Sequence, residues 1–159
     1  MFEIAAIDHL VLRTAQVDNM VSFYCQVLGC TVERIVEEIA EEIAEETAEE
    51  VAQESEEVVD NVKIPALTQL RAGNALIDLV DVRSKLGKAG GGAPVKTEQN
   101  LDHFCLQLKA ISSGEIKDYL TGKGIQVGQF HTRYGAQGFG DSVYIQDPDG
   151  NTVELKSQQ

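Results

Sequence analysis

The chain has 159 residues, 43% of them hydrophobic, and a formal net charge of −13. This length fits one ordinary domain or two very small ones. We expect neither a membrane protein nor a signal peptide. No apolar run approaches the ~20 residues of a membrane span, and no basic region with an apolar core opens the sequence.

The negative charge is concentrated in one segment of the chain. Residues 35–62 hold twelve acidic side chains and no basic one, so the rest of the chain carries a net charge of −1. That remainder has no basic patch, and we therefore expect no nucleic-acid partner. The cysteines Cys25, Cys30 and Cys105 are odd in number and lack CxxC spacing, which favours a reduced, cytoplasmic protein.

In the first half of the chain the pattern predicts a strand at about 4–13, a helix over 17–29 and a strand at 30–35. Residues 34–63 then repeat a four-residue unit of two small or apolar residues and two acids. Alanine, glutamate and isoleucine or valine at this spacing predict a long acidic helical insertion that supplies no site residue. The strands "ALTQLRAG" and "NALIDLVDV" follow, joined by a tight Gly-Asn turn.

The second half repeats this order after a glycine-rich linker over residues 85–99. A strand at 101–109 precedes a helix over 112–124 and a strand from Ile125. The closing "DSVYIQDPDGNTVELKS" predicts two strands around a turn. The sequence therefore predicts an α+β fold of two βαβββ modules, residues 1–84 and 100–159, whose sheets form a paired half-barrel cleft.

Strand alternation identifies candidate site residues in both halves. Leu10 and Leu12 share one face of the first strand, which leaves His9 on the other face. The same parity separates Asp78 from the apolar Ile77 and Leu79. In the second half it selects two further residues in the corresponding strands, His103 and Glu154.

Two imidazoles and two carboxylates suit a borderline or hard divalent cation, so these four residues predict a metal site. Each half supplies one histidine and one carboxylate, which fits convergence about a pseudo-twofold axis. A histidine or carboxylate taken alone is an ordinary surface or half-buried residue. The prediction therefore depends on the matched positions in a duplicated unit.

Several phrases of the sequence resemble the vicinal oxygen chelate superfamily, which includes glyoxalase I, fosfomycin-resistance enzymes, bleomycin-resistance proteins and extradiol dioxygenases. They are "IDHLVLRT", "VSFYCQVLGCTV", "NALIDLVDV", "LDHFCLQL" and "DSVYIQDPDGNTVEL". The resemblance covers nearly the whole chain outside residues 34–63, and is closest to small glyoxalase-domain proteins.

The resemblance implies a lyase or isomerase that uses one divalent ion (Zn, Ni, Mn or Fe) and an enediolate-like intermediate. The ligands would fall on His9, Asp78, His103 and Glu154, with Glu154 also acting as base. Asp78 departs from the family's longer glutamate, so it would bind through water or leave three ligands. The family commonly pairs modules in a homodimer or within one chain.

Two other functions remain open. One is a metal-free protein that sequesters a small molecule, as bleomycin-resistance members do. The other is a metal-dependent dioxygenase or an epoxide-opening transferase. Each reading has a small-molecule substrate, for which Arg13, Arg133 and Tyr144 are candidate binding residues. Arg13 shares a strand face with His9.

Overall fold

The computed structural model describes residues 5–39, 63–92, 95 and 101–158. The elements in chain order are β1 (His9–Thr14), α1 (Val17–Ser22), β2 (Thr31–Ile39), β3 (Lys63–Ala72), β4 (Ala75–Asp81), α2 (Lys85–Lys88), β5 (Phe104–Leu108), α3 (Ser113–Gly122), β6 (His131–Gly135), β7 (Gly138–Gln146) and β8 (Thr152–Ser157). Helix α1 continues directly into a π-helical segment, Phe23–Val27. None of these helices has the length and apolar surface that crossing a bilayer would need.

The strands form two four-stranded mixed sheets with the same topology. Their orders are β1-β4-β3-β2 and β5-β8-β7-β6. In each sheet the first strand runs parallel to the last, and the remaining described pairings are antiparallel. The predicted α+β fold with two βαβββ modules is therefore confirmed.

The residues cluster into two compact units that do not follow the order of the repeats. The first contains residues 1–15 and 32–93, and the second contains residues 16–31 and 94–159. We expected the helix of each half to meet the sheet of its own half. Instead, α1 belongs to the compact unit of the second sheet. The module boundaries at residues 84 and 100 stay a prediction.

The core of the first unit lies on one face of its sheet. Leu70 of β3 stands opposite Ile77 of β4 and is fully buried, and Leu79 on β4 is buried as well. Leu12 of β1 adds to this layer at 7% exposure. Burial of these side chains contributes roughly 1.5–3 kcal/mol each, and it fixes which face of the sheet carries the polar side chains.

Both helices of the second unit bury apolar side chains. Met20 and Tyr24 near α1 and Leu120 of α3 are almost wholly buried, as are Val143 and Val153 on the sheet. Helix α3 begins with a capping box, in which Ser112 accepts a bond from the backbone N–H of Glu115 and the Glu115 carboxylate accepts one in return. The predicted helix over 112–124 is confirmed, and the observed helix is slightly shorter, at Ser113–Gly122.

Two expected elements are wrong in part. The acidic helix was expected from residue 34, but residues 34–39 belong to β2 and Lys63 begins β3. Residues 40–62 lie outside the described residues. The strand expected from Ile125 begins only at His131. In the expected linker, residues 85–88 form the single turn α2, and residues 93–94 and 96–100 lie outside the described ranges.

Candidate metal-binding pairs

The first unit brings His9 and Asp78 to one face of its sheet. His9 lies opposite Leu76 in the parallel register of β1 and β4, and Asp78 lies opposite Val11. Asp78 is 6% exposed, whereas the His9 side chain is 48% exposed. The negative charge of Asp78 helps to raise the pKa of His9, after the larger effect of a hydrogen bond to Asp8.

One oxygen of the Asp78 carboxylate lacks a partner. Gln69 Nε2 donates to Oδ2 at 3.0 Å. Within the described part of the chain, the buried Oδ1 accepts no hydrogen bond. A buried, unpaired carboxylate oxygen costs free energy unless a proton, water or cation meets it. A cation on the face that Asp78 shares with His9 would supply such a partner.

The second unit brings His103 and Glu154 into direct contact. His103 Nε2 lies 3.1 Å from Glu154 Oε2, and Glu154 is buried at 6% exposure. A proton between these atoms makes the contact a charge-assisted hydrogen bond. Two ligands of one ion at ~2.1 Å lie about 3–3.5 Å apart, so the separation also suits a shared cation.

Both histidines are oriented by the residue before them. His9 Nδ1 lies 2.8 Å from a carboxylate oxygen of Asp8, and His103 Nδ1 lies 2.6 Å from one of Asp102. A carboxylate on Nδ1 fixes the ring and leaves Nε2 for a ligand, as metal-binding histidines require. The sequence reasoning missed Asp8 and Asp102. The Asp-His dipeptide, present in both predicted strands, was the available signal.

The structure does not gather a complete metal centre among the described residues. No group of three or more histidine, cysteine, aspartate or glutamate side chains lies close enough there to hold one ion. The four predicted ligands are present as two pairs, one in each compact unit. The donor types, the unpaired oxygen of Asp78 and the contact of His103 with Glu154 fit ligands of a divalent cation.

Arg13 directs its guanidinium toward the main chain. Its Nη2 donates to the carbonyl oxygens of Gly87 and Gly92 at 3.1 and 3.0 Å, and also to that of Gly91. A side chain at Gly90 would collide with the guanidinium, since its Cβ would lie 2.6 Å from Arg13 Nε. The glycine-rich segment after α2 therefore packs around Arg13.

The other candidate substrate residues lie on the second sheet. The Tyr144 ring meets the His103 ring edge to face at 5.2 Å, and Tyr144 stands opposite Glu154 in the strand register. Arg133 is exposed on β6, opposite Gly140.

Partial burial and the charge of Glu154 together raise the pKa of Cys105 to about 11.

The model of the Glyoxalase/Bleomycin resistance protein/Dioxygenase superfamily matches residues 6–155 of the sequence. The chain belongs to this superfamily. No curated protein matches the sequence.

Three solved structures share the fold across nearly the whole chain. An integron cassette protein from the mobile metagenome of V. cholerae is 20% identical with a TM-score of 0.64, and covers 100% of this chain and 99% of its own. A lactoylglutathione lyase from Agrobacterium tumefaciens is 19% identical with a TM-score of 0.55, at 98% and 96% coverage. A fosfomycin resistance protein from Listeria monocytogenes is 12% identical with a TM-score of 0.55, at 100% and 96% coverage.

In this superfamily member, two of the phrases that carried the resemblance meet in the second unit. The Tyr24 hydroxyl of "FYCQVLG" donates to Asp147 Oδ2 of "DPDGN" at 2.8 Å. Burial and the negative charge of Asp147 raise the pKa of Tyr24, so the hydroxyl stays a donor. Asp147 also accepts bonds from the backbone N–H groups of Asp149 and Asn151. These phrases therefore hold α1 against the β7–β8 turn.

Proposed function

We propose that this protein is a divalent-metal-dependent lyase or isomerase of the glyoxalase type, acting on a small oxygen-bearing molecule. The observation that carries the proposal is the 3.1 Å contact between His103 and the buried Glu154, with Asp102 holding the other ring nitrogen. In the first unit His9 and Asp78 share a sheet face, and Asp8 contacts the His9 Nδ1 atom. Superfamily membership supports the reaction class.

The proposed ligands are His9, His103 and Glu154, with Asp78 as the fourth. A bound ion would supply electrophilic stabilisation of negative charge that develops on substrate oxygen atoms. Zinc, nickel, manganese and iron all fit imidazole and carboxylate ligands.

The proton transfers of the proposed reaction fall to Glu154. Its carboxylate removes a proton from the hydroxyl-bearing carbon next to a substrate carbonyl and returns it to the carbonyl carbon. The hydroxyl proton passes to the former carbonyl oxygen, so the isomerisation has no net proton change. The low exposure of Glu154 and its contact with His103 support this role. Tyr144, packed on His103, would hold the substrate beside it, with Arg13 and Arg133 as further candidate contacts.

The proposed setting is the reducing cytoplasm, supported by Cys25, Cys30 and Cys105, which form no disulfide with one another. The proposed assembly is a homodimer, with the two His–carboxylate pairs of a site supplied by one chain or by two. Mixing His9→Ala with His103→Ala protein separates these arrangements. If each site takes its two pairs from different chains, a dimer of one His9→Ala chain and one His103→Ala chain has one intact site and therefore binds half the wild-type metal. If each site lies within one chain, the same dimer has no intact site and binds none.

Metal content tests the proposal directly. Purified wild type, His9→Ala, His103→Ala and Glu154→Gln proteins are dialysed against each of the four ions and analysed for metal. Wild type should retain one ion per site, and each variant should lose it. His131→Ala is the matched control, since His131 is exposed on β6 and should not change the metal content. Retention of metal by both histidine variants would refute the proposed ligands.

A second candidate function is metal-free sequestration of a small molecule. Its supporting observation is that no three-donor group occurs in the described ranges. In this case the His103–Glu154 contact is a hydrogen-bonded ion pair that shapes the site. Wild type would then remain metal-free after every dialysis. The dioxygenase and epoxide-opening alternatives share the metal requirement, and product analysis separates them from isomerisation.

Isomerase chemistry has its own readout. In deuterium oxide, a panel of small α-hydroxyketones should take up deuterium at the carbon next to the carbonyl in the presence of metal-loaded protein. Glu154→Gln should abolish this uptake, whereas His131→Ala should retain it. Uptake by the Glu154→Gln protein at the wild-type rate would remove Glu154 as the base.

A further inference from the structure

Lys156 carries a buried positive charge on the face of the second sheet that also carries Glu154. The two residues are two positions apart on β8, so their side chains leave the strand on the same side. Lys156 is 3% exposed. It has no part in the proposed metal site or in the proposed proton transfers, so its burial on this face needs another reason.

Glycines of the β6–β7 hairpin make room for this side chain. A Cβ on Gly140 would lie 3.3 Å from Lys156 Cε, and a Cβ on Gly135 would lie 3.1 Å from Nζ. Nζ donates a hydrogen bond to the carbonyl oxygen of Gly138 at 2.6 Å. The side chain therefore lies across β7 and brings its ammonium group to the β6–β7 turn.

The ammonium group has no counter-ion among the residues that the structure describes. The Gly138 carbonyl is its hydrogen-bond acceptor there, and no carboxylate lies within ion-pair distance of Nζ. Glu154, the acid of the same strand, directs an oxygen to His103 instead. A buried charge without a partner costs free energy. An ammonium group has three donors, so the charge and the remaining donors suit an anionic ligand.

A second cation lies on the same face of the hairpin. Arg133 of β6 is exposed and stands opposite Gly140. Gly140 lies two residues before Ser142, the partner of Lys156 in β8, so these positions share one face. A Cβ on Gly138 would meet no atom within 4 Å, so open space adjoins the turn. A ligand at the turn therefore meets two cations.

We propose that the Lys156 ammonium group binds an anionic oxygen group, a carboxylate or a phosphate, of a small molecule at the β6–β7 turn, with Arg133 as a second contact. Both anions carry several acceptor atoms and the missing negative charge, so they match the donors that remain on Nζ. Burial strengthens this attraction, because little water screens it. That the molecule is the substrate rests on the proposed function, whereas its binding to Lys156 depends on no metal.

The position of the ammonium group sets a minimum length for a substrate. Glu154 pairs with Tyr144, two residues after Ser142. The Lys156 ammonium group lies at Gly138, four residues before Ser142. The anionic group and a carbon beside Glu154 are therefore at least about 7 Å apart along the strands. A molecule that spans them needs about five or more bonds between its anionic group and its reacting carbons.

Binding is tested with metal-free protein labelled with ¹⁵N. Butyrate and butyl phosphate are the anionic probes, and butyramide has the shape of butyrate without its charge. Titration with either anion should shift the backbone amide signals of Gly138 and Gly140. We expect butyramide to bind at least about tenfold more weakly than butyrate, since it lacks the charge-assisted hydrogen bonds. Unshifted signals with both anions, or equal binding of butyrate and butyramide, would overturn the proposal.

A pair of lysine variants assigns the charge. Lys156→Met keeps a long side chain and removes the ammonium group, and we expect it to bind both anions at least about tenfold more weakly than wild type. Lys109→Met is the matched control. Lys109 is exposed and follows β5, so this variant makes the same change in net charge and should bind as wild type does. Wild-type affinity in Lys156→Met, or an equal loss in Lys109→Met, would refute the assignment.

A pair of glycine variants tests the position of the ammonium group without a change in charge. Gly135→Ala places a methyl group 3.1 Å from Lys156 Nζ and should displace it, with a loss of affinity for the anions. Gly114→Ala is the control, because the nearest atom to its Cβ is the Ser112 hydroxyl oxygen at 4.0 Å. Equal affinities of these two variants would contradict the position assigned to the anion.

Deuterium uptake then tests whether the anionic molecule is the substrate. The panel is extended to α-hydroxyketones that carry a terminal carboxylate, each paired with its methyl ester. Lys156→Met should raise the KM of the carboxylates at least about tenfold and leave the KM of the esters nearly unchanged. An equal change in both would show a structural role for Lys156 and refute its role in substrate recognition.

These measurements and the metal analysis fail independently. Binding of the anions without metal retention would leave Lys156 assigned and would refute the proposed metal-dependent reaction. Metal retention and deuterium uptake without a preference for anions would refute only the role of Lys156.

Discussion

Removal of the Tyr24 hydroxyl should measurably destabilise the second compact unit. Tyr24 is fully buried, Asp147 is 5% exposed, and they are joined by a 2.8 Å hydrogen bond. Hydrogen bonds to charged groups contribute about 1.5–3 kcal/mol. Asp147 Oδ2 retains a second donor, Asn151 Nδ2 at 2.8 Å, so the Tyr24→Phe cost should fall near the lower end of that range.

We expect Tyr24→Phe to lower the free energy of unfolding by about 1.5 kcal/mol. The thermal midpoint should fall by about 3–6 °C, given the 2–4 °C per kcal/mol usual for chains of this size. The phenyl ring keeps its edge-to-face contact with Phe23 at 5.3 Å, so little packing is lost. Urea denaturation followed by circular dichroism measures the change.

Tyr134→Phe is the matched control for this measurement. Tyr134 is 75% exposed on β6, so deletion of the same hydroxyl group should change stability by less than about 0.5 kcal/mol. In an Asp147→Ala background, Tyr24→Phe should cost little more, because its partner is already absent. Equal effects of the two tyrosine variants, or full additivity with Asp147→Ala, would refute the assigned contact.

Two further predictions concern a turn and a thiol. Gly73→Ala should lower the free energy of unfolding by about 1 kcal/mol, because Gly73 lies in the β3–β4 turn with a φ of +62°. Gly122→Ala is the control. Gly122 lies at the end of α3 with open space around it, so this variant should be neutral or stabilising in the same urea denaturation assay. With a pKa of about 11, Cys105 is ~0.1% thiolate at pH 8, so its alkylation by iodoacetamide should accelerate about tenfold per pH unit up to that value. In metal-free protein, Glu154→Gln removes a negative charge and should lower this pKa and speed alkylation at pH 8, as followed by peptide mass spectrometry; an unchanged rate would contradict the assigned charge effect.

The strand faces were readable from the sequence because alternation is a property of the extended backbone itself. It placed His9 with Asp78, and His103 with Glu154, on shared faces of their sheets. Asp81, on the opposite face of β4 from Asp78, accepts hydrogen bonds from the Arg83 guanidinium.

Helical propensity misassigned the start of the acidic segment because strand pairing overrides it. Residues 34–39 would favour a helix in isolation, yet they extend β2 along the edge of β3. Arg71 of β3 binds the Glu33 carboxylate through two nitrogens, and Lys63 lies 3.5 Å from Glu37. These partners lie 26 and 38 positions apart in the chain, so a local pattern cannot show them.

The sequence by itself determined the repeated strand order, the polar face of each sheet and the superfamily, because these depend on local alternation and short phrases. Only the tertiary structure decided that α1 belongs with the second sheet and that glycine carbonyls surround Arg13. Each of these features depends on which distant groups satisfy a buried polar atom or cover an apolar face. Many groups in the chain have an equal local preference for these positions. Which of them pairs with a given polar atom or covers a given apolar face is therefore decided only when the whole chain packs.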